Sequence, residues 1–149
     1  MEHTQSSEAI LKTALNLDKA IETRNIENVL SKFSVDCEIE ILGIKLSGRN
    51  GVKKWMKWQF KHIAKIEFIP ITKMVSGNIF FEEYIAKVNL QDGEEILSNQ
   101  AVVLEFKKKM IKSLRLYFDR LEFVDAVAKD IISQSIIKEL IKKSVEGLT

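Results

Sequence analysis

Long stretches of strand-like sequence, joined by very short turns, occupy most of the second half of this chain. Four such stretches fall at residues 65–75, 79–90, 95–107 and 110–123. Of the breaks between them, Asp92-Gly93 is the strongest turn signal, because glycine tolerates the positive φ of a tight hairpin. Strands this long and this closely linked predict an antiparallel meander. The sole proline, Pro70, lies within the first strand and predicts a bulge, a bend or an edge position there.

The first half is predicted to be helical, with one strand among the helices. Apolar residues recur at helical spacing over residues 8–21, and Ser6 or Ser7 is placed to cap that helix. A shorter helix follows Arg24-Asn25, and a third helix covers residues 50–62. Between these two, apolar and acidic residues alternate over residues 35–41, which indicates a strand with one wet, acidic face.

The chain ends in a further amphipathic segment. After Asp125 the spacing is helical again, and the apolar side runs up to Ser144 through Val127, Ile131, Ile136, Ile137, Leu140 and Ile141. A helix of this kind packs on its own domain, contacts a second copy of the chain or covers a pocket. The sequence leaves these three alternatives open.

Size and composition bound the class of protein. A chain of 149 residues that is 46% hydrophobic can bury one sizeable core, so a single domain over residues 1–149 is expected. Lys and Arg number 23 against 21 Asp and Glu, which gives no reason to expect a nucleic acid or a membrane as partner. The apolar runs are far shorter than the roughly 20 residues of a membrane-spanning helix. With one cysteine, Cys37, and no export signal, a cytoplasmic location is expected.

The order of these elements resembles a known superfamily. Three pieces carry the likeness: residues 33–41 after the helix pair, LSGRNGVKKW entering the third helix, and the closing stretch from 102 to 119, which contains MIKSLRLYFD. Over about residues 8–123 the chain resembles the nuclear transport factor 2-like superfamily, and within it the SnoaL-like polyketide cyclases, steroid isomerases and limonene epoxide hydrolases. The resemblance implies an α+β fold in which a cone-shaped, curved antiparallel sheet wraps around the N-terminal helices. Residues 125–146 would add a C-terminal helix.

The resemblance also implies a cavity for a small apolar ligand and a homodimer formed through the sheet. Two of the family's chemistries do not fit. Where the steroid isomerases have a carboxylate base, a tyrosine and an aspartic acid, this chain has Ile41, Leu17 and Val102, none of which can exchange a proton. The epoxide hydrolases use an Asp, Arg, Asp triad, and an ungapped match keeps only Asp119, with Glu83 and Ile85 at the other two positions.

A SnoaL-like cyclase needs one aspartate as acid and base beside an apolar cavity, and Asp119 meets that requirement. The assisting histidine has no counterpart, since His3 lies near the N-terminus and His62 ends the third helix. A scytalone dehydratase arrangement, which needs two pocket histidines, is not supported either. Two functions therefore stay open: a cyclase- or isomerase-type enzyme acting on an apolar carbonyl compound, or a module that binds a small ligand or dimerises without catalysis.

Strand alternation groups the candidate ligand residues by face. Ser113, Arg115, Tyr117 and Asp119 share one face of the last strand, and Leu114, Leu116 and Phe118 share the other. If the polar face lines the cavity, Arg115 and Tyr117 contact the ligand beside Asp119. If it faces solvent, Arg115 and Asp119 form a surface ion pair of little energetic value. On the strand at residues 79–90, either Glu83 or the pair Glu82 and Tyr84 points inward, and the sequence does not decide between them.

The third helix carries two further features. Trp55 is expected to pack in the core, whereas Trp58 lies at a ligand mouth or on a partner surface. Its lysines, Lys53, Lys54, Lys57, Lys61 and Lys65, form a stripe that is usually a solvated face, because nucleic-acid binding needs more charge with stacking aromatics beside it. Cys37 is expected to be a small buried thiol. No motif for a metal or a cofactor is present, so none is expected.

Overall fold

In the computed structural model, the described part of the chain runs from residue 6 to residue 148, apart from the side chains of Asp125 and Val127. His3 and the Val127 side chain, both considered above, lie outside the described residues. The chain divides into two compact units, of which the first ends at Phe118 and the second begins at Asp119. The single domain stays a prediction.

The first unit begins with the predicted pair of helices. Helix α1 spans Ser7–Glu22 and α2 spans Ile26–Ser31. Ser6 caps α1 by accepting a hydrogen bond from the Ala9 amide at 3.1 Å, and Asn25 caps α2 by accepting one from the Asn28 amide at 3.1 Å. Both caps satisfy amide groups that the first turn of a helix leaves without partners.

Six strands and one more helix complete this unit. They are β1 (Phe33–Ile41), β2 (Ile44–Ser47), α3 (Gly48–His62), β3 (Ile63–Ser76), β4 (Ile79–Leu90), β5 (Glu95–Lys107) and β6 (Met110–Phe118). Strands β3 to β6 form the predicted meander, and the sheet order is β2-β1-β6-β5-β4-β3. Neighbouring strands are antiparallel except β1 and β6, which are parallel to each other. The last strand of the meander thus lies beside the first strand of the chain.

The proline in β3 lies where the sequence predicts. Strand β3 is an edge of the sheet, and its pairing with β4 shifts between Pro70 and Thr72. Pro70 therefore occupies both an edge strand and a bulge, two positions that do not need a proline amide as donor.

The core lies between the inner face of the curved sheet and the buried faces of α1 and α3. Buried side chains on α1 include Leu17 and Ile21, and those on α3 include Trp55 and Met56. Inner-face residues of the meander are Phe80, Tyr84, Ala86, Val88, Val102, Leu104, Phe106 and Leu114. The alternation of the strands thus places their more apolar side inward. Cys37 is buried, as predicted.

Arg24 ties the corner between α1 and α2 to the end of α3. Its guanidinium donates hydrogen bonds to the carbonyl oxygens of Phe60 at 3.0 Å and of Ile63 and Ala64 at 2.6 and 3.2 Å. The same group lies 4.6 Å from the centroid of the Phe60 ring. A cation at the C-terminal end of α3 also matches the helix dipole.

The last strand ends earlier than predicted. Strand β6 stops at Phe118, and residues Arg120–Phe123 form a 3-10 helix instead of continuing the strand to residue 123. The physical reason is local: Asp119 caps the 3-10 helix, because its carboxylate accepts a hydrogen bond from the Leu121 amide at 2.9 Å.

The second unit contains this 3-10 helix and two α-helices, α4 (Val124–Val127) and α5 (Ile131–Ser144). The helix predicted to run from residue 125 is therefore interrupted. Ala128 is extended, and Asp130 starts α5 as its cap by accepting a hydrogen bond from the Ser133 amide at 2.8 Å. Ile132, Ile136 and Leu140 on α5 are exposed.

Candidate functional site

A buried pair of carboxyl groups joins α1 to the inner face of β4. Glu82 lies on that face between Phe80 and Tyr84, and its side chain is only 1% exposed. Asp18, half-buried on α1, shares a hydrogen bond with Glu82. Two carboxyl groups that share a hydrogen bond cannot both ionise at low cost, so the pair holds a proton.

Burial and mutual repulsion determine where the proton lies. Burial, followed by the charge of Glu82, raises the pKa of Asp18 from 3.8 to about 8. Burial also raises the pKa of Glu82, while Lys73 and the hydrogen bond from Asp18 act to lower it. Asp18 is therefore the protonated donor near pH 7, and Glu82 is the acceptor.

One oxygen of Glu82 is left free for another group. Its Oε2 atom is buried and accepts no hydrogen bond, and it lies 3.9 Å from Lys73 Nζ. Lys73 is the residue directly across from Glu82 on β3, and its side chain is 31% exposed. A buried carboxylate oxygen without a donor is costly, which is typical of a site that binds a further group.

A pocket opens onto this pair between α1 and β3. Its volume is about 150 Å³, and it is lined by Leu15, Asp18, Lys19, Glu22, Phe68, Pro70, Lys73 and Glu82. Glu22 closes one side, because its Oε1 atom accepts a hydrogen bond from the Phe68 amide at 3.2 Å. That bond satisfies an amide at the edge of the sheet, and Pro70 has no amide hydrogen to expose. The pocket therefore has an apolar wall and a carboxyl floor.

A polar chain runs along the inner face beside Glu82. The Tyr84 hydroxyl donates to Gln100 Oε1 at 3.0 Å, and Gln100 Nε2 donates to Ser98 Oγ at 3.1 Å. The Tyr84 ring meets the Phe68 ring edge to face, with centroids 5.1 Å apart. Burial, helped by the charges of Asp18 and Glu82, raises the pKa of Tyr84, so the phenol stays a neutral donor.

The structure separates the residues that the sequence singled out as a site. Of these, Tyr84 lies on the inner face beside Glu82, so Glu82 and Tyr84 are the pair that points inward. Glu83 lies on the outer face, where its Oε1 atom accepts a hydrogen bond from Thr72 Oγ1 at 3.3 Å. Arg115 also lies on the outer face and forms an ion pair with Glu105 at 3.3 Å.

The other three candidates lie on elements that do not carry the carboxyl pair. Tyr117 is 55% exposed on the outer face, and Trp58 is 50% exposed on α3. Asp119 is an exposed cap in the second unit. Their roles as ligand contacts or as catalytic acid stay predictions.

Sequence reasoning missed Asp18 altogether. Its signal was present, because Asp18 follows Ala14 by four residues and precedes Ile21 by three, which places it on the edge of the apolar face of α1. Glu82 had a similar signal, as an acid within the alternating apolar residues Phe80, Tyr84 and Ala86.

Nothing in the described ranges indicates a metal centre or a membrane span. Across residues 6–148, no three side chains of His, Cys, Asp or Glu are grouped so as to bind a metal ion. The described helices are all too short or too polar to cross a bilayer.

Comparison with solved structures identifies the fold. A nuclear transport factor 2-like protein of unknown function from Burkholderia pseudomallei superposes with a TM-score of 0.74 at 18% identity, covering 80% of this chain and 98% of that one. A protein with a ketosteroid isomerase-like fold from Catenulispora acidiphila gives 0.70 at 14% identity, covering 77% and 91%. A putative SnoaL-like polyketide cyclase from Shewanella denitrificans gives 0.70 at 12% identity, covering 81% and 98%.

These matches confirm the cone fold predicted from the sequence, and at such identities the fold is what they establish. No protein-family model matches the sequence, and no protein with a curated description matches it either. The function therefore has to be argued from the site.

Proposed function

We propose that this chain, which has the nuclear transport factor 2-like fold, moves a proton on a small carbonyl compound bound against Asp18 and Glu82. One observation carries the proposal: at the lining of a pocket, a carboxylate that is 1% exposed shares a proton with a second carboxyl and has one oxygen without a hydrogen-bond donor. Paired carboxyl groups with separated proton affinities are typical of acid–base catalysis.

Each residue of the pocket has a chemical task in this reaction. Glu82 Oε2 takes a proton from the carbon next to the carbonyl group, because its lone pair is free and its raised pKa makes it a stronger base. The Lys73 ammonium stabilises the negative charge that develops on the carbonyl oxygen. Glu82 then gives this proton to another carbon of the substrate. Asp18 keeps its own proton throughout.

The dimensions of the pocket limit the substrate. A volume of about 150 Å³ is below the roughly 300–1,000 Å³ of common ligand pockets, so the substrate is smaller than a steroid or a fused-ring polyketide. Leu15, Phe68 and Pro70 supply an apolar wall, which favours an aliphatic or single-ring ketone. The carboxyl pair replaces Asp119 as the expected acid and base, because Asp119 already caps the 3-10 helix.

Exchange of carbon-bound hydrogen for deuterium tests this function directly. We expect the protein to speed deuterium incorporation next to the carbonyl of small cyclic ketones in D₂O, followed by proton NMR. Glu82→Gln should slow this exchange by about 10²–10⁴-fold, because amide nitrogen and oxygen cannot accept the proton. Glu83→Gln, one residue away on the outer face, is the matched control and should exchange at the original rate.

The outcome is decisive in both directions. Equal rates for Glu82→Gln and the unsubstituted protein would place the base elsewhere. No exchange with any ketone, together with a ligand-induced rise in the melting temperature that Glu82→Gln abolishes, would favour the second candidate function. That function is binding without catalysis, in which Glu82 Oε2 accepts a hydrogen bond from the ligand.

We also propose that a second copy of the chain covers the outer face of the sheet. Large apolar side chains there are 39–58% exposed: Ile69, Met74, Ile79, Leu97 and Tyr117. Several large apolar side chains exposed on one face of a sheet are typical of a face that a partner covers. Sedimentation velocity should give a dimer, and Leu97→Glu should give a monomer. Ile44→Glu, an exposed change on β2 at the other end of the sheet, is the control and should remain dimeric; a monomeric unsubstituted protein would contradict this proposal.

A further inference from the structure

Helix α3 presents a solvent-facing surface with an ordered pattern of charge and aromatic rings. Its exposed residues form two adjacent rows at a spacing of four: Lys53, Lys57 and Lys61 in one row, and Lys54, Trp58 and His62 in the other. Residues four apart lie on the same side of a helix, about 6 Å apart along its axis. We call this surface the basic face.

The basic face is unusual in its charge. Residues 41–66 contain seven Lys and Arg and no Asp or Glu, although the whole chain has nearly equal numbers of each. Within residues 6–148, none of Lys53, Lys54, Lys57 and Lys61 forms an ion pair. Arg24, held by three carbonyl oxygens at the end of α3, adds a cation there. The local charge is therefore positive and unopposed along the helix.

Trp58 supplies a ring beside these cations. It is 50% exposed, whereas Trp55 three residues earlier is 6% exposed and packs in the core. The His62 ring meets Trp58 at a centroid distance of 5.9 Å and an angle of 64°, which holds the indole against the helix. About half of the Trp58 side chain is therefore available for contact with a ligand of the basic face.

We infer that the basic face binds single-stranded nucleic acid. A row of lysines about 6 Å apart can follow successive phosphates of an extended strand, and an indole beside the row can stack on a base. The sequence alone favoured a solvated stripe, because nucleic-acid binding needs more charge than the stripe carries together with evidence of a stacking aromatic beside it. The exposure of Trp58 on the same face provides that evidence.

A lipid surface fits the same face less well. Helices that lie in a membrane interface bury a whole apolar side, and the basic face has Trp58 as its one large apolar residue. A polyanion without aromatic rings, such as heparin, would use the lysines and leave Trp58 without a stacking partner. The proposal therefore predicts that both the charge and the ring contribute to binding.

Fluorescence anisotropy with labelled 12-nucleotide strands of RNA and DNA tests the inference on the full chain. We expect binding at low salt, with log K falling against log salt with a slope of about −2 to −3 for three to four phosphates. Trp58→Ala should weaken binding by about 5-fold or more. Lys57→Glu should also weaken it and reduce the salt slope, and the exposed Lys12→Glu on α1 is the matched control.

Competitors separate this ligand from other anions. Heparin should compete in a manner that Trp58→Ala does not alter, and vesicles containing anionic lipid should not bind the protein at the salt concentration where the strands bind. Binding of vesicles but not of strands would overturn the inference in favour of a membrane surface. Binding of strands that is unaffected by Trp58→Ala and by Lys57→Glu would overturn it too, and circular dichroism of each variant shows whether it is folded.

Discussion

At pH 8, the free energy of unfolding of the Asp18→Asn variant is expected to be about 3 kcal/mol higher than that of the unsubstituted protein. In the unfolded chain Asp18 ionises above its ordinary pKa of 3.8, whereas the folded chain retains the proton up to about pH 8. The stability from this group is fully present below pH 3.8 and is lost as the pH rises toward 8. A pKa change of this size corresponds to at most roughly 6 kcal/mol, and partial exposure of Asp18 reduces the figure by about half.

The ionisable groups near Asp18 either add to its effect on stability or oppose it. The pKa of Glu82 is also raised by burial, so its ionisation on unfolding adds to the loss of stability at higher pH. Glu22 raises the pKa of Asp18 and Lys73 lowers it. Asparagine in place of Asp18 has no proton to lose and can still donate a hydrogen bond to Glu82.

Urea denaturation at each pH unit from 5 to 9 measures this effect. The unsubstituted protein should lose up to about 1.4 kcal/mol per pH unit in the middle of that range, and Asp18→Asn should show a much flatter profile. Glu83→Gln removes an acid of the outer face and is the control, whose slope should match that of the unsubstituted protein. Parallel profiles for all three proteins would mean that Asp18 ionises normally in the folded state.

The architecture was accessible from the sequence because it depends on local signals. Turn residues such as Asp92-Gly93, the apolar spacing of α1 and the change to strand alternation at β1 each determine one element. Pro70 is an example of a single residue that predicted its own environment, since its missing amide hydrogen suits an edge strand and a bulge. The order of such elements carried the resemblance to the nuclear transport factor 2-like superfamily, and that resemblance implied the cone.

The end of the last strand was not accessible in the same way. Leu121 and Phe123 are apolar and suggested a strand up to residue 123, although they are out of phase with Leu114, Leu116 and Phe118 and would share the face of Arg115 and Tyr117. The Asp119 carboxylate instead caps a 3-10 helix, and this hydrogen bond competes with strand pairing over a few residues. Short-range competition of this kind leaves little trace in the periodicity.

The position of the site depended on which face of the sheet is buried. Alternation shows which residues share a face, and it grouped Arg115 with Tyr117 correctly. It does not show which face of the sheet the helices cover. The side with Leu114 turned inward, because burying leucine is favourable and burying an arginine is not.

Asp18 illustrates a second limit. Its partner Glu82 is 64 positions later in the chain, and their contact exists because α1 packs against the inner face of the sheet at one particular height. An acid on the edge of a helix face is usually solvated, so the position of Asp18 in the sequence does not by itself predict burial. Asp18 contacts Glu82 because α1 and β4, which are distant in sequence, pack together in the fold.

Phe80→Ala is expected to lower the free energy of unfolding by about 3–5 kcal/mol, a large part of the roughly 5–15 kcal/mol that stabilises an ordinary domain. Phe80 is 1% exposed on the inner face of β4, so removal of its ring leaves a cavity in the core. Phe81, the next residue, lies half-buried on the outer face, and Phe81→Ala should cost about 1–2 kcal/mol. The two substitutions remove the same atoms. The difference between their losses in free energy of unfolding therefore shows which face of β4 is the more deeply buried.

This comparison also tests the candidate site, because Glu82 and Tyr84 share their face with Phe80 while Glu83 shares its face with Phe81. Chemical denaturation at two protein concentrations separates the contributions: the effect of Phe80→Ala should be present at both, and that of Phe81→Ala should grow where the outer face is buried in a dimer. If Phe81→Ala were the more damaging change at the lower concentration, β4 would face the other way. Glu83 would then lie inside the cone, and the base for proton transfer would have to be sought there.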